Sequence, residues 1–84
     1  MTAEPVSLPD EAGSYLQQLG ARVRDARTRL GLSRKALAGK SGVSERYLAQ
    51  LESGQGNISI LLLRQVSGAL ETPLTELLSE HDGH

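Results

Sequence analysis

The sequence predicts an all-α domain of five short helices. No stretch alternates apolar and polar residues as a half-buried strand does. Three serines, Ser33, Ser44 and Ser59, each stand between an apolar residue (Leu32, Val43, Ile58) and a leucine four positions on (Leu37, Leu48, Leu63). A serine so placed caps a helix start by accepting from a free backbone amide, and the flanking apolar pair clamps the entry. Upstream of them, Leu16, Leu19, Val23, Ala26 and Leu30 recur at steps of three and four, the spacing of one helix face.

The elements follow in order. Residues 1–13 hold Pro5, Pro9 and Gly13 with little periodicity, and are expected to form a flexible arm. The first helix is expected over 14–30, stopped by Gly31, since glycine accepts the left-handed conformation of a helix end. The second runs over about 34–41 and stops at Gly42. The third runs over about 45–53 and stops at Gly54. The fourth spans about 60–70, with Ile60, Leu63, Val66 and Leu70 as its buried stripe. Leu61 and Leu62 fall outside that stripe unless Leu62 broadens it by joining Val66 and Ala69. A last helix begins near Thr72-Pro73, with threonine as cap and proline in the first turn, and carries Leu74, Leu77 and Leu78. Residues 14–78 are thus one domain, and 79–84 a frayed tail or the start of a linker.

Composition narrows the function. With 84 residues there is room for one domain, and with two Tyr and no Phe or Trp its core must be aliphatic. The absence of cysteine excludes disulfides, thiolate metal sites and cysteine nucleophiles. No paired carboxylates or nucleophile–base set occupies a regular element, and His81 and His84 lie in the tail, so neither an enzyme, a metal site nor a cofactor is expected. No apolar run approaches the roughly 20 residues of a membrane span, and the start lacks a signal-peptide pattern. The expectation is a cytoplasmic, nucleoid-associated protein with no membrane partner. The net charge of −1 conceals a division: all nine basic residues lie between Arg22 and Arg64, with only Asp25, Glu45 and Glu52 among them. Such a basic middle between acidic ends attracts phosphates, although arginine also serves on solvated helix faces.

The centre of the chain carries the motif. Two short helices meet at the tight turn Gly42-Val43-Ser44, with the small Ala38 where they approach and Val43, Leu48 and Leu51 between them and the core. This is a helix-turn-helix layout, in which the second helix enters a major groove. Together with Leu37-Ala38, Leu51-Glu52-x-Gly54, Asn57-x-Ser59-Ile60, Leu63, Val66 and Ala69-Leu70, it resembles the lambda-repressor-like (Cro/XRE-type) family over about residues 19–78. The run 44–66 also resembles the DNA-binding domain of BoxR/BzdR-type regulators of benzoyl-CoA catabolism, in which that domain is fused to a shikimate-kinase-like effector domain. This second resemblance implies an effector domain beyond His84 and relief of repression by benzoyl-CoA. Gly54-Gln-Gly56 is a turn and not a phosphate loop.

Residue chemistry assigns roles within that frame. Arg46 has the fork that reads guanine, and Gln50, one turn on, the amide that reads adenine. Ser44 and Glu45 stand at the helix start, where repressor-type proteins touch DNA; Glu45 alternatively complements the helix dipole. Tyr47 either meets DNA or is half-buried against the second helix. The resemblance implies that Arg34 and Lys35, at the start of the second helix, grip phosphate, as do Gln55 and Asn57 in the loop after the third. Glu52 is expected in a structural ion pair with an arginine of the first helix. Leu61 and Leu62, with Leu74 and Leu78, are expected at a dimer or partner surface. The function expected is a sequence-specific regulator, a repressor, binding double-stranded DNA as a homodimer on a palindromic operator with half-sites about 34 Å apart. The alternative is an antitoxin whose exposed leucines bind a toxin and whose DNA binding is autoregulatory.

Overall fold

The computed structural model describes residues 10–79 and is all-helical over them. Its elements are α1 (Asp10–Arg29), α2 (Arg34–Ser41), α3 (Glu45–Glu52), α4 (Ile60–Leu70) and α5 (Leu74–Leu78). No helix among the described residues is long and apolar enough to cross a membrane. Helix α1 begins at Asp10, four residues before the expected boundary, so residues 10–13 belong to the helix and not to an arm. An opening turn needs no apolar periodicity to be helical, which is why the pattern missed it. Residues 1–9 of the expected arm and 80–84 of the expected tail lie outside the described residues.

All three serine caps form. Ser33 accepts from the Ala36 amide at 2.9 Å, Ser44 from Tyr47 at 3.0 Å and Ser59 from Leu62 at 3.3 Å. The helix ends are closed as regularly. After α1, the amides of Gly31 and Leu32 donate back to Thr28 and Arg27 carbonyls, with Gly31 at φ 73°. The same doubled return follows α3, from Gly54 to Leu51 and from Gln55 to Gln50, and follows α4, from Glu71 to Gly68 and from Thr72 to Ser67. These are Schellman closures, which satisfy the last free carbonyls. Glu71 takes the left-handed position, at φ 57°, that glycine holds elsewhere. The expected cap of α5 does not form: Pro73 is the cap residue, and Thr72 Oγ1 donates back to the Leu70 carbonyl at 3.2 Å.

The core is aliphatic: Leu19, Val23, Ala26, Leu37, Val43, Leu48, Leu51, Leu63, Val66, Ala69, Leu70 and Leu77 are buried. Helix α1 packs on α3, α2 bridges α3 and α4, and α5 lies against α1 and α4. Helix α1 also closes the end of α5, for Tyr15 Oη donates to the Leu78 carbonyl at 2.8 Å and Arg22 Nη1 to that of Leu77 at 3.1 Å. Two expected core positions are exposed, Leu30 at 41% and Ile60 at 54%. Ile60 is the first residue of α4, and helical side chains tilt toward the N-terminus, so its side chain leans past the core. Leu62 instead packs against the core beside Val66.

Candidate nucleic-acid interface

The candidate surface is built by two helix starts facing one groove. The Gly42-Val43-Ser44 turn, with Gly42 at φ 82° and its amide bonded to the Ala38 carbonyl, sets α3 across α2. The groove between them is lined by Ser33, Arg34, Lys35, Glu45, Arg46 and Ala49, with Arg27 at its floor. Arg34, Lys35, Glu45 and Arg46 are exposed. The start of α2 carries no acid in its first turn, so its free amides and the cations of Arg34 and Lys35 add to one positive field. Among the described residues, no acid lies within salt-bridge distance of Lys35 or Arg46.

The other basic residues divide between structure and solvent. Arg27 is buried and forks onto Glu52, Nε to Oε2 at 2.6 Å and Nη2 to Oε1 at 3.0 Å, while its Nη1 donates to the Leu32 carbonyl at 2.8 Å. The hydrogen bond to Glu52 holds the guanidinium pKa above its ordinary value, against the opposing effect of burial. The expected ion pair of Glu52 with an α1 arginine is therefore present. Glu52 Oε1 also stands 3.5 Å from Arg34 Nε, so one carboxylate ties α1, the end of α3 and the start of α2 together. Arg29 pairs with Asp25 at 2.5 Å, and Lys40 with Glu71 at 3.7 Å. Four of the nine basic residues are thus tied to carboxylates among the described residues.

The remaining candidates take different places. Ser44 is exposed, but its hydroxyl is engaged as the α3 cap. Gln50 is exposed on α3, and Gln55 and Asn57 are exposed on the loop beyond it. Tyr47 is half-buried and packs on the core, with its hydroxyl oxygen buried and unpartnered. A phosphate contact through that hydroxyl is closed to it in this arrangement, because the oxygen is already covered by protein. Burial pushes the phenol pKa up; the Ser59 backbone opposes this without completing a hydrogen bond. Its folded-state pKa therefore lies above the unfolded one. The unfolded chain loses its proton first, and stability present below about pH 10 declines as pH rises through the folded pKa. Tyr47→Phe is expected to change stability at neutral pH by less than about 1 kcal/mol, and to reduce the alkaline loss. Urea unfolding at about pH 8 and about pH 11 checks both; a loss well beyond that limit at neutral pH would mean that the hydroxyl has a partner.

The expected partner surface is rearranged. Leu62, Leu74 and Leu78 are half-buried against the core, so much of their apolar area is already covered. The exposed area belongs to Leu61, at 66%, and to its neighbour Ile60. Leu61 and Leu62 share a shallow groove with Arg64 and Gln65. Ile60 was missed because its spacing matches the stripe, and only its place at the helix start exposes it.

Comparison with known proteins agrees with this architecture. A helix-turn-helix family model matches residues 23–77. The HTH-type transcriptional regulator SlrR of Bacillus subtilis is 45% identical over 60 residues, covering 70% of this chain and 40% of SlrR. The chain thus spans less than half the length of that relative. Among solved structures, the restriction-modification controller protein C.AhdI of Aeromonas hydrophila superposes with a TM-score of 0.73 at 36% identity, covering 76% of this chain and 97% of that one. The biofilm master regulator SinR, crystallised in complex with DNA, superposes at 0.68 with 37% identity, covering 73% of this chain and 98% of that one. These likenesses run to SinR- and SlrR-type regulators and lend no support to a special closeness to benzoyl-CoA-responsive ones.

Proposed function

The chain belongs to the helix-turn-helix family, and from that premise we propose that it is a sequence-specific DNA-binding regulator of transcription, acting as a repressor. The observation that carries the reading is the groove in which Arg34, Lys35 and Arg46 share one exposed face with the start of α2. Phosphate contacts from Arg34, Lys35, Gln55 and Asn57 set the register, and α3 lies in the major groove. Arg46 and Gln50 read bases, with Ser44 and Glu45 beside them at the helix start. The protein acts in the cytoplasm, at the nucleoid. It binds a palindromic operator as a homodimer, whose second copy is met through the exposed Ile60 and Leu61. The likeness of residues 44–66 to BoxR/BzdR-type regulators favours an aromatic thioester as the signal, received by a further domain. Those same exposed residues also favour a second reading, an antitoxin that binds its toxin there.

Selection from a random duplex pool, followed by sequencing of the bound fraction, tests the reading. Recovery of an inverted repeat is expected; binding with no enriched motif would reduce the protein to a non-specific electrostatic binder. Against the recovered site, Arg46→Ala is expected to cost about 1–3 kcal/mol and to relax preference at one base position. Arg34→Ala is expected to weaken specific and random DNA alike and to reduce the salt slope by about one. Equal loss on both DNAs for Arg46→Ala would move Arg46 to the phosphate-binding set, and an unchanged slope for Arg34→Ala would remove Arg34 from it.

A further inference from the structure

The loop after α3 folds back onto the helix it leaves. The Gln55 amide donates to the Gln50 carbonyl at 2.9 Å, and the amide and hydroxyl of Ser53 donate to the same carbonyl at 3.2 and 3.0 Å. That return, made through Gly54 at φ 77°, carries the next residue over the Gln50 side chain. The next residue is Gly56, at φ 79°. A Cβ built on it would stand 3.2 Å from Gln50 Oε1, 3.6 Å from its Cδ and 3.7 Å from its Cβ. The space that a side chain at position 56 would take is therefore occupied by the stem and amide of Gln50.

We propose that Gly56 is a specificity-determining positioning residue: its backbone fixes the amide of Gln50 in the orientation that reads an adenine edge. The inference rests on the base-reading role proposed for Gln50. Two parallel bonds to one base require the amide plane to be set to within about 0.5 Å and 10–20°. A free glutamine on a helix surface holds no such orientation, and ordering it on binding costs side-chain entropy. Lying against Gly56, the amide is confined on its loop side, so fewer conformers are left to it than to a free glutamine. A side chain at position 56 would enter at 3.2 Å from the amide oxygen and displace it. The α3–loop unit thus carries a reading group and its support within seven residues, Gln50 to Gly56.

Gly31 supplies the control. It has nearly the same backbone, φ 73°, but nothing lies within 4 Å of a Cβ placed there, so Gly31→Ala brings the strain without the contact. The experiment is duplex selection and sequencing with the parent chain and with Gln50→Ala, Gly56→Ala, Gly56→Asn and Gly31→Ala, beside thermal melts of each. Asparagine tolerates positive φ and keeps the fold of the 56 variant closer to that of the parent. The expected result is that Gln50→Ala and both Gly56 variants flatten the same base position by about fivefold to tenfold, while Gly31→Ala leaves it intact. If Gln50→Ala flattens a position and the folded Gly56→Asn protein does not, the positioning role is overturned and the reading by Gln50 stands. If Gln50→Ala flattens none, the reading itself fails and the inference falls with it.

Discussion

Gly20→Ala lowers the melting temperature by roughly 12–24 °C, the expected consequence of a loss near 3 kcal/mol in a domain of this size. The argument begins with the end of α3. Helix α1 crosses it so closely at Gly20 that a Cβ there would stand 2.3 Å from the Leu51 carbonyl oxygen and 2.6 Å from that of Glu52. Both are backbone atoms, and the Leu51 side chain is buried in the core, so the last turn of α3 has no rotamer to change. Relief requires α1 and α3 to separate, and packed interiors resist that. Gly54 repeats the constraint one step on, since its Cβ would stand 2.9 Å from Gln17 Cα. The comparison is Gly68→Ala in α4, where nothing lies within 4 Å of the added carbon. That change is expected to stabilise by about 0.5–1 kcal/mol, because alanine loses less backbone freedom on folding. Differential scanning calorimetry of the two variants decides the matter. Equal midpoints would mean that α1 and α3 move apart at little cost.

The contrast between these glycines marks what can be read from a sequence. Ser33, Ser44 and Ser59 were legible because a cap is local, joining a hydroxyl to an amide three residues away. The turn at Gly42 was legible for the same reason. Gly20 and Gly68 look alike in one dimension, each a weak helix former inside a helix. Only the packing of α1 across α3 makes one of them obligatory. The basic residues behave similarly. The sequence shows nine of them in one stretch, and chemistry alone links Glu52 to an arginine of α1. Which arginine it is depends on helix rotation, and the structure selects Arg27, turning it inward while Arg24 remains exposed. For Tyr47, composition offered a DNA contact and burial on equal terms. Its position beside Leu48 on α3 turns it toward the core, and the oxygen is covered. Ile60 shows the opposite failure: a position that satisfies the helical period is exposed because the helix starts there.

Glu52→Ala is expected to be the more damaging change, costing about 3–5 kcal/mol, a large fraction of the 5–15 kcal/mol that small domains possess. The Glu52 side chain is 6% exposed and that of Arg27 11%, so the pair is shielded from water. Removing the carboxylate leaves Arg27 with the Leu32 carbonyl as its remaining acceptor and two donating nitrogens, Nε and Nη2, without theirs. The guanidinium cannot discharge to escape, because an arginine keeps its proton throughout the range in which proteins fold. The cost is therefore the desolvation of an unpaired cation and not the intrinsic worth of the pair. A second variant separates these two quantities. Arg27→Met combined with Glu52→Leu removes both charges and keeps much of the volume, and apolar replacement of a buried pair is often neutral or stabilising. Its midpoint in urea is expected to lie close to that of the parent and far above that of Glu52→Ala. A double variant as unstable as the single one would mean that the fork itself, through its directed bonds joining α1 to α3, contributes stability beyond neutralising a buried charge.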